Sequence, residues 1–136
     1  SPGGARSGSW MVIRGCQTGI DVTDVVKIVG QNSTTATGLS EVTLAAVNGV
    51  ADDKSLILMA VATNQAPDLG SLLTGPFVNA AFASITTRNE AGGTGTNIQG
   101  RYLATAEKAV AGAISSSTAP IANVAHSTAT LSFKPA

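Results

Sequence analysis

Residues 44–65 read LAAVNGVADDKSLILMAVATNQ, and this segment sets the fold class. Residues 56–62 within it form the longest apolar run of the chain. The run includes β-branched Ile and Val residues, and it predicts a strand that is buried on both faces. Residues 41–47 predict the preceding strand, and Asn48-Gly49 is a dipeptide typical of a tight turn. The segment therefore predicts a strand, a turn and a buried strand.

Shorter strand-like patterns flank this segment on both sides. They cover residues 10–13, 22–29, 72–73, 77–87 and 129–133. Gly30 is predicted to end the second of these strands, and residues 31–40 are predicted to form a loop. Residues 102–114, which read YLATAEKAVAGAI, fit either a helix or a strand, a turn and a strand.

Many short strands separated by turns indicate a mainly β protein. We expect a small single-domain β-sandwich or barrel-like fold, with one short helix over residues 102–114 as an open alternative. Residues 10–136 would form this domain, and residues 1–9, SPGGARSGS, would form an extended N-terminal arm. The arm has two interpretations: a disordered tail, or a segment that becomes ordered on a neighbouring subunit.

Charged side chains are few and balanced. Lys and Arg number 8, Asp and Glu number 8, and charged residues make up 12% of the chain, about half of the usual share. Because no two basic residues are adjacent, we expect no nucleic-acid binding, which needs a basic stripe. A surface poor in Lys and Glu resembles an interface. The composition therefore favours a subunit that neighbouring proteins cover.

Neither a membrane span nor a disulfide is expected. The apolar run at residues 56–62 is too short to cross a bilayer, and no signal peptide is present in these residues. Cys16 is the only cysteine, which excludes an intrachain disulfide and a zinc site built from several thiolates.

No catalytic, cofactor or metal site is predicted, and we expect the protein not to be an enzyme. His126 is the only histidine, it has no acidic residue close in sequence, and we expect it to lie at the surface or in an assembly contact. Asp52-Asp53 lacks the spacing of a calcium loop and predicts a solvated turn. Residues 92–95 are glycine-rich, but no Lys follows them, so they do not form a phosphate loop.

The middle of the chain resembles the head decoration proteins of lambda-type tailed phages. Residues 44–65 are similar to that family's short strand, its glycine turn with acidic residues and its following apolar strand. Residues 71–82, SLLTGPFVNAAF, look like the family's next strand, and the Gly-rich arm before Trp10 is similar in kind to the family's extended N-terminal arm.

This resemblance implies a non-enzymatic virion structural protein that lies on the capsid exterior. Its partners would be the major capsid protein, at whose junctions it binds, and further copies of itself, with a trimer as one expected form. No cofactor is implied. Phe77 and the strand at residues 56–62 are expected to supply the core or a seam between subunits. The residues expected to contact the capsid or another subunit are Ser1, Pro2, Gly3, Gly4, Ala5, Arg6, Trp10 and Phe77.

A second resemblance is to chaperone–usher pilins. Residues 100–105, GRYLAT, and residues 128–133, TATLSF, look like the C-terminal hairpin of a pilin. Pilins usually carry a pair of cysteines, whereas Cys16 stands alone here. The alternative function is therefore a subunit of an extracellular pilus or fibre that is assembled by donor-strand exchange.

Overall fold

The computed structural model is mainly β. It describes residues 11–14, 26–34, 41–44, 46–51, 53–63, 72–91, 100–121 and 126–136. Within these residues there are nine strands and no helix, which confirms the predicted fold class. The strands are β1 (Val26–Thr34), β2 (Glu41–Leu44), β3 (Val47–Ala51), β4 (Leu56–Thr63), β5 (Phe82–Ala91), β6 (Arg101–Lys108), β7 (Gly112–Ile114), β8 (Ser117–Pro120) and β9 (His126–Phe133).

The first layer is a five-stranded antiparallel sheet in the order β1-β9-β4-β6-β5. Its central strand, β4, comes from the apolar run of the sequence. Ile57, Met59 and Val61 are buried on the face that we call inner, whereas Leu56 and Leu58 are only partly buried on the opposite, outer face. β4 was expected to be buried on both faces. Its inner face is fully buried, and its outer face is only partly buried.

The second layer is a narrow antiparallel ribbon. β2 pairs with β8 and β3 pairs with β7, and the two ladders keep one register: Leu44 lies opposite Ser117, and Val47 lies opposite Ile114. The register shifts only between Val47 and Ala51. Because both ladders share a register, the four short strands form a single two-stranded ribbon, with β2 and β3 on one side and β7 and β8 on the other.

The segment between β4 and β5 borders this ribbon. Val78 forms a bridge to Thr118 of β8, and Leu73 forms a bridge to Ile121. Gly75 lies so close to Pro120 that a Cβ atom at this position would be 2.9 Å from the proline Cγ. The close approach requires a residue without a side chain.

The hydrophobic core lies between the sheet and the ribbon. Phe77 is 3% exposed and packs against Tyr102, with ring centroids 5.4 Å apart and planes tilted by 54°. Tilted ring pairs of this kind are favourable because the edge of one ring meets the face of the other. The buried apolar residues of the core are Val42, Leu44, Ala51, Ile57, Met59, Val61, Leu72, Leu73, Phe77, Tyr102, Ala104, Ala106, Ile114, Ala119 and Ile121.

Residues 102–114 form a strand, a turn and a strand, so the helix alternative is wrong. β6 pairs with β4 along its length, with Ala104 opposite Met59 and Ala106 opposite Ile57. Small Ala side chains allow β6 to lie beside the larger residues of the central strand. The chain reverses around Val110, which is 70% exposed.

Two predicted interruptions are also wrong. Gly30 lies inside β1 opposite Thr130, and the strand continues to Thr34. Asn48-Gly49 lies inside β3, and the chain turns instead at Asp53 and Lys54. Tertiary pairing overrides local turn preference at both places.

The borders of other predicted elements differ as well. Residues 11–14 have no regular secondary structure, so the strand predicted at residues 10–13 is absent from its described part. β5 spans Phe82–Ala91, so it begins and ends later than the strand predicted at residues 77–87.

A candidate binding groove on the outer face of the sheet

The outer face of the sheet carries a groove of about 450 Å³ near the start of β4. A second hollow of about 330 Å³ adjoins it and shares Arg14, Leu56, Arg88 and Thr105 with it. The groove is lined by Arg14, Lys54, Leu56, Ala83, Ser84, Thr86, Arg88, Thr105, Ala106, Glu107 and Pro135.

The N-terminal segment at residues 11–14 lies at this groove. Met11, Val12 and Ile13 line the second hollow, and Arg14 lines both. Met11 and Ile13 are half-buried, whereas Val12 is 66% exposed. The first described residues of the chain therefore lie at the outer face of the sheet.

A β-bulge shapes the floor of the groove. Ala83 pairs with Glu107 and Thr86 pairs with Thr105, so β5 has one residue more than β6 between these pairs. The bulge contains Ser84, whose φ is 51°. Bulges disrupt the ladder locally and redirect the side chains next to them.

A second strained residue borders the groove at the turn before β4. Lys54 has a φ of 58° and donates its main-chain N–H to the Lys108 carbonyl at 2.8 Å. Lys108 in turn donates its main-chain N–H to the Ser55 carbonyl at 2.9 Å. Lys54 and Ser84 are the only non-glycine residues with positive φ in the described part of the chain, and both line this groove.

The lining carries an excess of positive charge. Arg14, Lys54 and Arg88 provide three cations, against the single carboxylate of Glu107. All four side chains are exposed, which leaves them accessible to a ligand. In a chain with no net charge, this is a local concentration of cations that composition alone does not reveal.

One of these cations is held in place by the sheet. The Arg88 Nε–H donates to the Thr105 Oγ1 at 2.7 Å, and Thr105 is only 4% exposed. This bond uses one of the five guanidinium hydrogens and fixes the plane of the group, while the terminal nitrogens keep their donors for an acceptor. Arg101 makes an equivalent Nε–H bond to the Asn89 Oδ1 at 2.9 Å, but it does not line the groove.

A separate polar cluster lies on the inner face around Tyr102. Burial raises the pKa of the Tyr102 hydroxyl, the hydrogen bond with Thr87 at 3.1 Å lowers it, and the nearby Glu90 carboxylate raises it further. Glu90 accepts a hydrogen bond from the Leu73 main-chain N–H at 2.8 Å. The first contact joins β5 to β6 within the sheet, and the second joins β5 to the segment that borders the ribbon.

The residues expected to contact a capsid or a subunit fall into two groups. Ser1, Pro2, Gly3, Gly4, Ala5, Arg6 and Trp10 lie outside the described residues. Phe77 is described, and its side chain contributes to the chain's own core.

The remaining polar residues considered from the sequence are described only in part. His126 is 5% exposed within β9, opposite Thr63, and is thus buried in the chain. Asp53 lies in an exposed turn, whereas Cys16, Asp52 and residues 92–95 lie outside the described part. No group of three or more His, Cys, Asp or Glu residues that could hold a metal ion occurs among the described residues. The same residues include no helix with the length and apolarity needed to cross a membrane.

Sequence reasoning missed the groove because its cations are far apart in the chain. Arg14, Lys54 and Arg88 come from the N-terminal segment, a turn and β5. Only the pairing of β4, β5 and β6 brings them together. No spacing rule in the sequence could have found them.

Comparisons with known protein families, with characterised proteins and with solved structures find no match to this chain. A functional proposal for this chain therefore rests on its sequence and on the geometry of the described residues.

Proposed function

We propose that the chain is a non-enzymatic virion structural protein that decorates a phage capsid and stabilises it at junctions between major capsid proteins. The position of residues 11–14 carries this proposal, because these residues line the outer-face groove. The proposed arm would join the described chain at the same surface that holds the groove. A particle surface can then contact the arm and the outer face of the sheet together.

The apolar strip on that face supports the proposal. We use this name for Leu56 and Leu58 of β4 with Phe133 and Leu131 of β9, which lie directly opposite them. All four side chains are only partly buried. Covering them with a neighbouring protein would remove further apolar surface from water, which is the main driving force of association. A stable contact buries about 1,600 Å² in total, so the arm and the strip would act together.

The charge balance of the chain fits a subunit in a symmetric assembly. The zero net charge of the chain lowers the repulsion between copies that lie side by side. Weak contacts repeated around a particle add through effective concentration, so each one need not be strong.

The edge strand β5 bears on the pilus alternative. Its ladder with β6 has two register shifts, and Ser84 in one of them has left-handed backbone. Bulges in an edge strand hinder the addition of another strand. The described edge therefore favours decoration through the outer face over strand exchange at β5.

The test is deletion of residues 1–9. We expect the shortened chain to remain folded and to lose binding to empty capsids assembled from the major capsid protein of the same genome. Co-sedimentation measures binding, and circular dichroism checks the fold. Full binding by the shortened chain would reject the role of the arm. Open head-to-tail filaments of the purified full chain in electron micrographs would support the pilus alternative instead.

A further inference from the structure

We infer that the outer-face groove is a docking site for an acidic peptide segment in extended conformation. The inference deepens the proposed function. It rests on that function at one point, where the acidic segment is taken to belong to the capsid. Three cations and one carboxylate line the groove, so the lining complements a ligand with negative charge.

The backbone provides an independent reason to regard the groove as a binding site. Left-handed backbone at a non-glycine residue is strained, and such residues concentrate at functional sites and ligand clamps. Both described examples, Lys54 and Ser84, line this one groove. A fold that needed only a turn and a bulge could use glycine at both positions at lower cost.

The shape and the floor of the groove favour a peptide over a small anion. The groove and the second hollow share Arg14, Arg88 and two further lining residues, and together they make the site larger than a single phosphate or carboxylate group requires. Leu56, Ala83 and Pro135 provide apolar surface between the cations. A chain with alternating side chains can place carboxylates on the cations and aliphatic atoms on this surface.

Because the groove cations are exposed, we expect the ligand to carry several carboxylates. Each exposed ion pair adds little to affinity, because water and salt screen it. Several carboxylates held on one segment are therefore needed for measurable binding. The arm of a second copy fits poorly as the occupant, because residues 1–9 contain Arg6 and no acidic residue.

The experiment uses the full chain and a fluorescein-labelled hexaglutamate peptide, followed by fluorescence anisotropy at low salt. We expect saturable binding that weakens steeply between about 0.02 M and about 0.3 M salt, as the Debye length shortens. The double variant Lys54→Gln/Arg88→Gln should bind about five to ten times more weakly, as expected for the loss of two exposed ion pairs.

Arg101→Gln is the matched control. Arg101 and Arg88 lie in neighbouring strands and make the same type of Nε–H hydrogen bond, but only Arg88 lines the groove. The Arg101→Gln variant should bind within about twofold of the unchanged chain, since it leaves the groove cations in place. Equal weakening by both variants, or absence of hexaglutamate binding, would overturn the inference. Citrate that competes as well as hexaglutamate at equal carboxylate concentration would overturn the peptide assignment.

The same proteins separate this inference from the proposed function. Hexaglutamate binding without binding to capsids would reject the proposed function and leave the ligand class of the groove standing. Capsid binding without hexaglutamate binding would reject the groove assignment and leave the proposed function standing.

Discussion

The two faces of β4 should respond very differently to truncation of a side chain. Ile57 is fully buried between β6 and β9 on the inner face, whereas its neighbour Leu58 belongs to the partly buried apolar strip. Ile57→Ala leaves a cavity in a packed core, for which the cost is about 2–5 kcal/mol. Leu58→Ala removes a side chain that keeps some contact with water, so its cost is about 1 kcal/mol.

These costs convert into measurable shifts. A loss of about 3 kcal/mol lowers the melting temperature by about 10 °C in a domain of this size, and it is a large part of the total stability of a small protein. Urea unfolding followed by far-UV circular dichroism measures both variants. The m-value should stay constant, because the same surface is exposed on unfolding.

The result that refutes the reasoning is a cost for Leu58→Ala that equals or exceeds that of Ile57→Ala. The experiment should be run at two protein concentrations. A Leu58→Ala effect that grows with concentration would show that another chain covers the apolar strip, since self-association couples to stability.

Three further results are expected. Thr130→Val should stabilise the chain by about 1–2 kcal/mol in urea unfolding, since the buried Thr130 hydroxyl has no hydrogen-bond partner among the described residues. Thr128→Val is its control and should not stabilise, because the Thr128 hydroxyl donates to a main-chain carbonyl at 3.4 Å; stabilisation by both changes would contradict this view. Ser84→Gly should raise the free energy of unfolding by about 0.5–1 kcal/mol, since glycine adopts positive φ without strain; a destabilised variant would show that the Ser84 side chain is needed for the fold. The raised pKa of Tyr102 means that the native state holds the phenolic proton longer than the unfolded state, so stability is retained below pH 10 and falls as the pH rises above it. Tyr102→Phe should flatten this fall in thermal melts between pH 9 and about 11, and an unchanged profile would exclude the phenol as its source.

The fold class could be predicted because the strand signal of β4 is strong. An uninterrupted apolar run of this length that includes Ile57 and Val61, set between turn formers, favours a buried strand. The ambiguity at residues 102–114 could not be resolved locally. Ala-rich sequence suits a helix by propensity, and pairing of Ala104 and Ala106 with β4 decides for a strand.

The sequence was a weaker guide to which face of a strand points into the core. Leu131 and Phe133 alternate along β9 as a core face should, yet Thr130 and Ser132 take the buried positions. The register with β4 sets this outcome, because the positions opposite Met59 and Ile57 belong to the inner face. The larger side chains of β4 fill the core, and smaller polar side chains of β9 fit beside them.

The groove could not be predicted at all. Its cations lie on elements that only long-range pairing brings together, and its strained residues have no sequence signature. Lys54 follows two acidic residues in a predicted turn, and Ser84 lies in an ordinary polar stretch. Neither residue type indicates left-handed backbone.

The order of the strands affects how the protein is made. β4 is the centre of the sheet, but both of its neighbours, β6 and β9, follow it in the chain. During synthesis the apolar residues of β4 have no partner strand in the sheet until β6 and β9 have left the ribosome. Long-range strand pairing of this kind forms slowly, and its intermediates expose apolar surface and are prone to aggregate. Nascent chains would therefore benefit from a chaperone. A ribosome that stalls before β9 would leave β1 separated from the rest of the sheet.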